Sequence, residues 1–416
     1  MGELLQLMSP ATRAITLACR TQLDATELDE LHTNLAAVSD WRAFSEHVER
    51  HRVSSIVAPQ LVDVPESVVP KATTRALTTR GKLHFLKSLQ LTDELLRMVQ
   101  ICSAQGIDTL HYKGVAAAVE LYAGIGTRPF GDLDFLVRRD QIECLIELFE
   151  KEGYTASLSA DSRVRAFHYR YRKEVELRRD GTVFEPHFAF APASLSFEPG
   201  FDNLWVRRNS VALKGEHGAG VLNTPHPEDA VLIYAVAGAI LDWRRLPKIL
   251  DFSRATQRLT SESADPAAAW QQVCSHASEA GWLRGLYVSS LLAVDLLGVP
   301  LPEGFLNEAR RDRVACRLAR DAITTLDNPI REVRFLPRHH RVFKWGRWQS
   351  RERPVDRWRY LLRTTTVPDH GLVQRLPLPD WLSPVYFVIT FSYDYLVYPL
   401  ARAGLTLGRW FKSTIG

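Results

Sequence analysis

The stretch Arg128-Pro129-Phe130-Gly131-Asp132-Leu133-Asp134-Phe135-Leu136-Val137 constrains the fold more than any other part of the chain. It reads as a buried strand, yet two carboxylates stand at its start. Strand side chains alternate between faces, so Asp132 and Asp134 share one face while Leu133, Phe135 and Val137 enter a core on the other. Two like charges held side by side repel each other unless a cation stands between them. Hard oxygen donors favour Mg²⁺ over zinc for that cation. A solvated strand start with two aspartates looks the same in isolation, so the flanking sequence has to decide.

Upstream, residues 1–98 read as helices. Asp24 and Thr26 can cap a segment carrying Leu28, Leu31 and Leu35 on one face, and Ser39-Asp40-Trp41 opens another that runs to about His51. Lys71 to Gln100 is a long helical pattern dominated by Leu83, Leu86, Leu89, Leu91, Leu95 and Leu96. Ile107 to Tyr112 is then a short strand, and Lys113-Gly114 turns it into an alanine-rich helix. Strand, glycine turn and helix N-terminus together present backbone N–H groups to a phosphate, and Lys113 adds a point charge there. Beyond the aspartates, Asp140 to Glu152 is an amphipathic helix with Ile142, Leu145, Ile146 and Phe149 inward and Gly153 as its C-cap. Asp180-Gly181 marks a hairpin between Val175–Leu177 and Val183–Glu185. On its second strand Glu185 and His187 share a face, which supplies a third carboxylate with a histidine beside it. His187 either orients that carboxylate or packs; His47, His51, His84, His111 and His168 read as solvated or structural.

Taken together, Lys-Gly plus helix, Arg-Pro-x-Gly-Asp-x-Asp-x-Leu-Val and a later acidic-x-His strand resemble the uncharacterised nucleotidyltransferase family of the DNA polymerase β-like superfamily. The specific part of the match spans about residues 111–187. Val115 stands where many superfamily members carry serine, and Glu185 replaces the commoner aspartate. The resemblance implies an α+β nucleotidyltransferase core, a mixed sheet with flanking helices at about 99–215, between an N-terminal helical region (1–98) and a helical domain (216–330). It implies Asp132, Asp134 and Glu185 as catalytic metal ligands for two Mg²⁺ ions, of the kind that sit roughly 3.5–4 Å apart in two-metal sites. It also implies an NTP held by Lys113 and by the backbone at Gly114 and Val115. Arg128 either contacts the triphosphate or forms a structural salt bridge to Asp132 or Glu185. Asp242 and Arg244-Arg245 either line the nucleotide cleft or end a solvated helix. The expected reaction is transfer of a nucleoside monophosphate to an acceptor hydroxyl, with bacterial polysaccharide biosynthesis as the associated setting. The alternatives are an inactive nucleotide-binding scaffold and nucleotide addition to tRNA or protein.

Composition excludes other classes. With 46% hydrophobic and 24% charged residues the 416-residue chain is globular, and a net charge of +4 does not mark a nucleic-acid binder. Cys19, Cys102, Cys144, Cys274 and Cys316 have no metal-knuckle spacing and read as buried thiols of a reducing compartment. Absence of a signal-like start and of a long apolar run favours a cytoplasmic protein. The C-terminal region, 331–416, begins with a basic run (Arg331 to Arg363) interleaved with Phe343, Trp345, Trp348 and Trp358, followed by an apolar segment. That order suits peripheral contact with an anionic membrane. Nucleic acid is a weaker fit, and a helical cap with solvated arginines is the plain alternative.

Overall fold

The computed structural model describes residues 3–122, 124–215, 218–327, 344–367, 370–393, 397 and 400. Its described strands form one mixed sheet of seven: β1 (Thr109–Leu110), β2 (Leu133–Val137), β3 (Thr155–Ala156), β4 (Leu177–Arg179), β5 (Thr182–His187), β6 (Asn209–Gly215) and β7 (Gly218–Thr224). They lie in the order β3-β4-β5-β2-β1-β7-β6. β2 runs parallel to β5 and antiparallel to β1, and β1 runs parallel to β7. The α+β class expected for a nucleotidyltransferase core among helices is what the chain adopts. The sheet runs on to Thr224, because the β6–β7 hairpin joins it through Leu110 opposite Asn223.

Local signals build these elements as the residues suggest. Asp24 forms a reciprocal capping box with Glu27, Asp40 accepts the Ala43 N–H, and the Asp180-Gly181 turn, at φ 47° and 81°, joins β4 to β5. Leu133, Phe135 and Val137 enter a core with Phe149, Tyr154 and Phe184, beneath the Lys71–Ala104 and Ile142–Lys151 helices. That burial leaves the alternate side chains of β2 for the opposite face. In the Lys71–Ala104 helix only Leu91, Leu95 and Leu96 of the leucine pattern are buried; Leu83, Leu86 and Leu89 face solvent, where the helix extends past the sheet.

A second core joins the N-terminal helices to the helices that follow the sheet, with Leu17, Phe44 and Val57 in one cluster with Phe252, Leu292 and Leu326. Polar ties cross the same seam. Ser9 and Thr12 donate to Asp327, and Arg20 donates to the Leu296 carbonyl at 3.0 Å. Buried His51 accepts the Leu246 N–H on Nδ1 and donates from Nε2 to the Leu326 carbonyl, both at 3.3 Å. Among the thiols, Cys19 and Cys102 are buried, but Cys144 is exposed, because it sits on the outer face of the Ile142–Lys151 helix.

After the helical region the chain returns as the Trp345–Gln349, Pro354–Thr366, His370–Arg375 and Ser383–Ser392 helices. The parts of the basic and apolar C-terminal segments at 331–343 and 401–416 lie outside the described residues. Within 344–363 the arginines are not simply solvated. Arg347, Arg353 and Arg363 donate to the carbonyls of Ile240, Ser278 and Ala193, and buried Arg351 stacks 4.0 Å over Trp282. These side chains fasten the segment to the rest of the protein. No helix among the described residues is long and apolar enough to cross a membrane.

Candidate active site

The parallel β2–β5 register sets Asp134 opposite Glu185 and Leu136 opposite His187. Paired residues in a parallel ladder project to the same face, so the two carboxylates stand side by side with His187 one pleat further on. Ligand atoms of Asp134, Glu185 and His187 lie within 4.8 Å of one another. Asp132 occupies the position before β2, half-buried and outside that trio, yet close enough that Asp134 raises its pKa. Burial is the larger cause of that rise, and Lys113 and Arg52 oppose it.

Lys113 and Gly114 close the site from the neighbouring strand–helix turn. Lys113 Nζ donates to Asp134 Oδ1 at 3.1 Å and lies 5.1 Å from the centre of the Tyr112 ring. Burial disfavours its charge, but Tyr112, Asp134 and Glu174 more than offset this and hold its pKa above the ordinary lysine value. Gly114 opens the Gly114–Leu121 helix at φ 51°, a left-handed conformation in which a side chain would be strained. Beside it, the backbone at Gly114 and Val115 forms the first turn, whose N–H groups have no partner within the helix.

His187 is fully buried and bridges the acids. Its Nε2 lies 2.8 Å from Asp134 Oδ1 and 3.2 Å from Glu174 Oε2, while Lys173 Nζ is 3.5 Å from Nδ1. Burial first, then the charges of Lys113 and Lys173, push its pKa down to about 4. The ring is therefore neutral near pH 7, with an Nε2–H aimed at carboxylates and Nδ1 facing an ammonium. Asp134, for its part, is held well below the usual carboxylate range: burial works against its charge, and Lys113 and His187 overcome it. Glu185 goes the other way, up to about 7, through burial and the nearby charges of Glu174, Asp134 and Asp132. Crowded acids of this kind suit a bound divalent cation.

The stretch 37–298, well over half of the chain, matches the model of a family described as uncharacterised nucleotidyltransferase. The chain belongs to that family. No curated protein and no solved structure matches it. Nucleotidyltransferase chemistry thus fits a sheet that gathers acids at one end, beside a glycine turn.

Arg128 in this nucleotidyltransferase forms a structural salt bridge, but not to Asp132 or Glu185. Its Nε and a terminal nitrogen donate to the two oxygens of Asp251, each at 2.8 Å, and Tyr122 donates to the same carboxylate. Both charges are buried, and the fork binds the Leu246–Glu262 helix rather than Asp132 or Glu185. Asp242 faces Lys344 and Arg347, each at 3.9 Å, so it meets the C-terminal cations. His111 and His168 are structural: His111 is buried against Thr109, and His168 donates to the Glu174 carbonyl at 2.7 Å.

Three residues of the site escape sequence reasoning. Glu174 arrives through an isolated bridge to His187, just before β4. Lys248 projects from the Leu246–Glu262 helix close enough to feel Lys113 and Asp134, and burial lowers its pKa to about 8. Arg52, exposed in a left-handed conformation at the end of the Trp41–His51 helix, acts on Asp132. From Glu174 and Glu185 a cleft of about 530 Å³ leads away, past Arg172 and Lys173, to Lys344, Arg347, Tyr360 and Thr364.

Proposed function

We propose that the protein transfers a nucleoside monophosphate from an NTP to an acceptor hydroxyl in a Mg²⁺-dependent reaction, with a sugar or carrier molecule as the acceptor. The side-by-side register of Asp134 and Glu185, next to the Lys113-Gly114 turn, carries this reading. The donors fit the ion: carboxylate oxygens dominate, and the imidazole already serves the carboxylates as a hydrogen-bond donor. Asp132, Asp134 and Glu185 would hold two Mg²⁺ ions, which supply charge neutralisation at the phosphates and lower the pKa of a bound hydroxyl.

The chain's own groups do the rest. Lys113 and His187 fix Asp134 in one orientation, so its second oxygen faces the site. Backbone N–H groups at Gly114 and Val115 receive triphosphate oxygens, and Lys248 and Arg52 add balancing positive charge. Glu185, at the mouth of the cleft, is placed to accept the proton of the attacking hydroxyl as the phosphorus–oxygen bond forms and pyrophosphate leaves.

Incubation with α-labelled NTPs, Mg²⁺ and a cell extract tests this directly. Label should pass to one acceptor fraction, and chelation, Asp134→Ala or Glu185→Ala should abolish the transfer. Label transfer that survives both substitutions overturns the assignment.

A further inference from the structure

Two C-terminal helices are folded inside out. A water-facing helix keeps its apolar stripe inward. The Pro354–Thr366 helix instead buries Asp356, Tyr360 and Thr364, spaced four apart, and leaves Val355, Trp358 and Leu362 exposed at 56%, 70% and 63%. The Ser383–Ser392 helix packs against it and repeats the inversion: Tyr386 and Thr390 are buried, while Val385, Phe387, Val388, Ile389 and Phe391 face outward. Trp381, 77% exposed, precedes the second helix. Exposed apolar side chains are unremarkable when scattered, but a contiguous set on two packed helices marks a surface that meets an apolar phase.

Charge identifies that phase. Among the residues of 354–393 whose burial is described, the exposed charged side chains are Arg359 and Arg375, both cationic, and the acid Asp356 is turned inward. The sequence of this stretch holds four arginines, Arg357, Arg359, Arg363 and Arg375, against Asp356, Asp369 and Asp380. The sequence that follows, 394–416, carries Arg402, Arg409 and Lys412 against one acid, Asp394. Tryptophans at 358 and 381 are of the type that settles at a lipid headgroup boundary. Neither helix approaches the roughly 20 apolar residues needed to span a bilayer.

We propose that the protein docks on an anionic membrane surface through the outward faces of these two helices, which lie in the plane of the interface. The inner face of the first helix carries Tyr360 and Thr364 to the wall of the cleft that begins at Glu185. Docking therefore brings that cleft to the bilayer, whatever reaction the carboxylates support.

The full chain is sedimented with vesicles of phosphatidylcholine alone and of phosphatidylcholine with phosphatidylglycerol. It should pellet with the anionic vesicles and much less with the neutral ones. Trp358→Glu/Val388→Glu should reduce the bound fraction about tenfold or more, with an unchanged thermal melt, because both side chains are already exposed. Failure to pellet with either vesicle, equal pelleting with both, or undiminished pelleting of the variant overturns the proposal. So does a concentration-dependent dimer that the same two substitutions dissolve, which would assign the face to a second copy.

Discussion

Removing the Asp251 carboxylate while leaving Arg128 in place should be among the most damaging single changes in the molecule. Asp251 is 1% exposed and receives both forks of the guanidinium at 2.8 Å, with the Tyr122 hydroxyl at the same distance. Asp251→Ala strands a buried cation, which costs about 3–5 kcal/mol, and orphans a buried hydroxyl, which adds about 1–3 kcal/mol. The double variant Arg128→Met/Asp251→Leu removes the stranded charge, so only the hydroxyl's share of about 1–3 kcal/mol should remain. Urea unfolding at pH 7, followed by circular dichroism with the m-value held constant, measures the difference. The double variant should be more stable than the Asp251→Ala single by roughly 3 kcal/mol. If it is equally unstable or worse, the two side chains are not a coupled clamp. The same variant has a second use: a folded protein that has lost Mg²⁺–NTP binding would return Arg128 to the substrate.

Other consequences are open to measurement. Gly114→Ala forces an L side chain into φ 51°, so a stability cost of about 1–2 kcal/mol is expected, with a larger loss in NTP affinity by titration calorimetry; equal losses would make the turn merely structural. Lys248→Met should weaken NTP binding about tenfold, or 1.4 kcal/mol, without lowering the melting temperature, since it removes a charge that burial disfavours; unchanged affinity would exclude Lys248 from the triphosphate site. His51 is held neutral, its pKa pushed down to about 4 mainly by burial, against about 6.5 when unfolded. Because the unfolded chain binds the proton first, the stability His51 contributes is complete above about pH 6.5 and falls as the pH drops towards about 4, by up to roughly 3 kcal/mol. Urea midpoints across that window should show the decline, and His51→Gln should flatten it; an identical slope in the variant would count against the assignment.

The features that the sequence made legible are those governed by local physics. Alternation set Asp134 on the face opposite the buried Leu133 and Phe135, Asp180-Gly181 announced its hairpin, and Asp24 announced a helix start, although its capping partner is Glu27 and Thr26 lies inside the helix. The strands of Asp134 and Glu185 were each legible, but their pairing was implied only by the family resemblance and rests on the parallel register of β2 with β5. What stayed hidden depends on partners far along the chain. Arg128 meets a carboxylate 123 residues later, a pairing that no local pattern at either residue reveals. Glu174 falls in no periodic pattern, since it belongs to an isolated bridge. Lys248 stands one turn into an ordinary helix, and only packing of that helix over the sheet brings it near Lys113. The outward leucines at 83, 86 and 89 likewise show that a stripe records which side chains are apolar, not where their partners end.

The seam between the first helices and those after the sheet also dictates an order of events during synthesis. Ser9, Thr12 and His51 wait for Leu326 and Asp327, which leave the ribosome only after the whole sheet has been made. At about 5–20 residues per second, the leading helices spend on the order of ten seconds or more with their apolar faces uncovered. One face of the sheet can gather in that interval, because its core draws on nothing beyond Leu222, whereas Leu110 and Leu136 on the other face share a core with the later helices. The nascent protein can thus assemble that face of the sheet before the helical shell closes over the other, and its earliest segments wait longest for their partners.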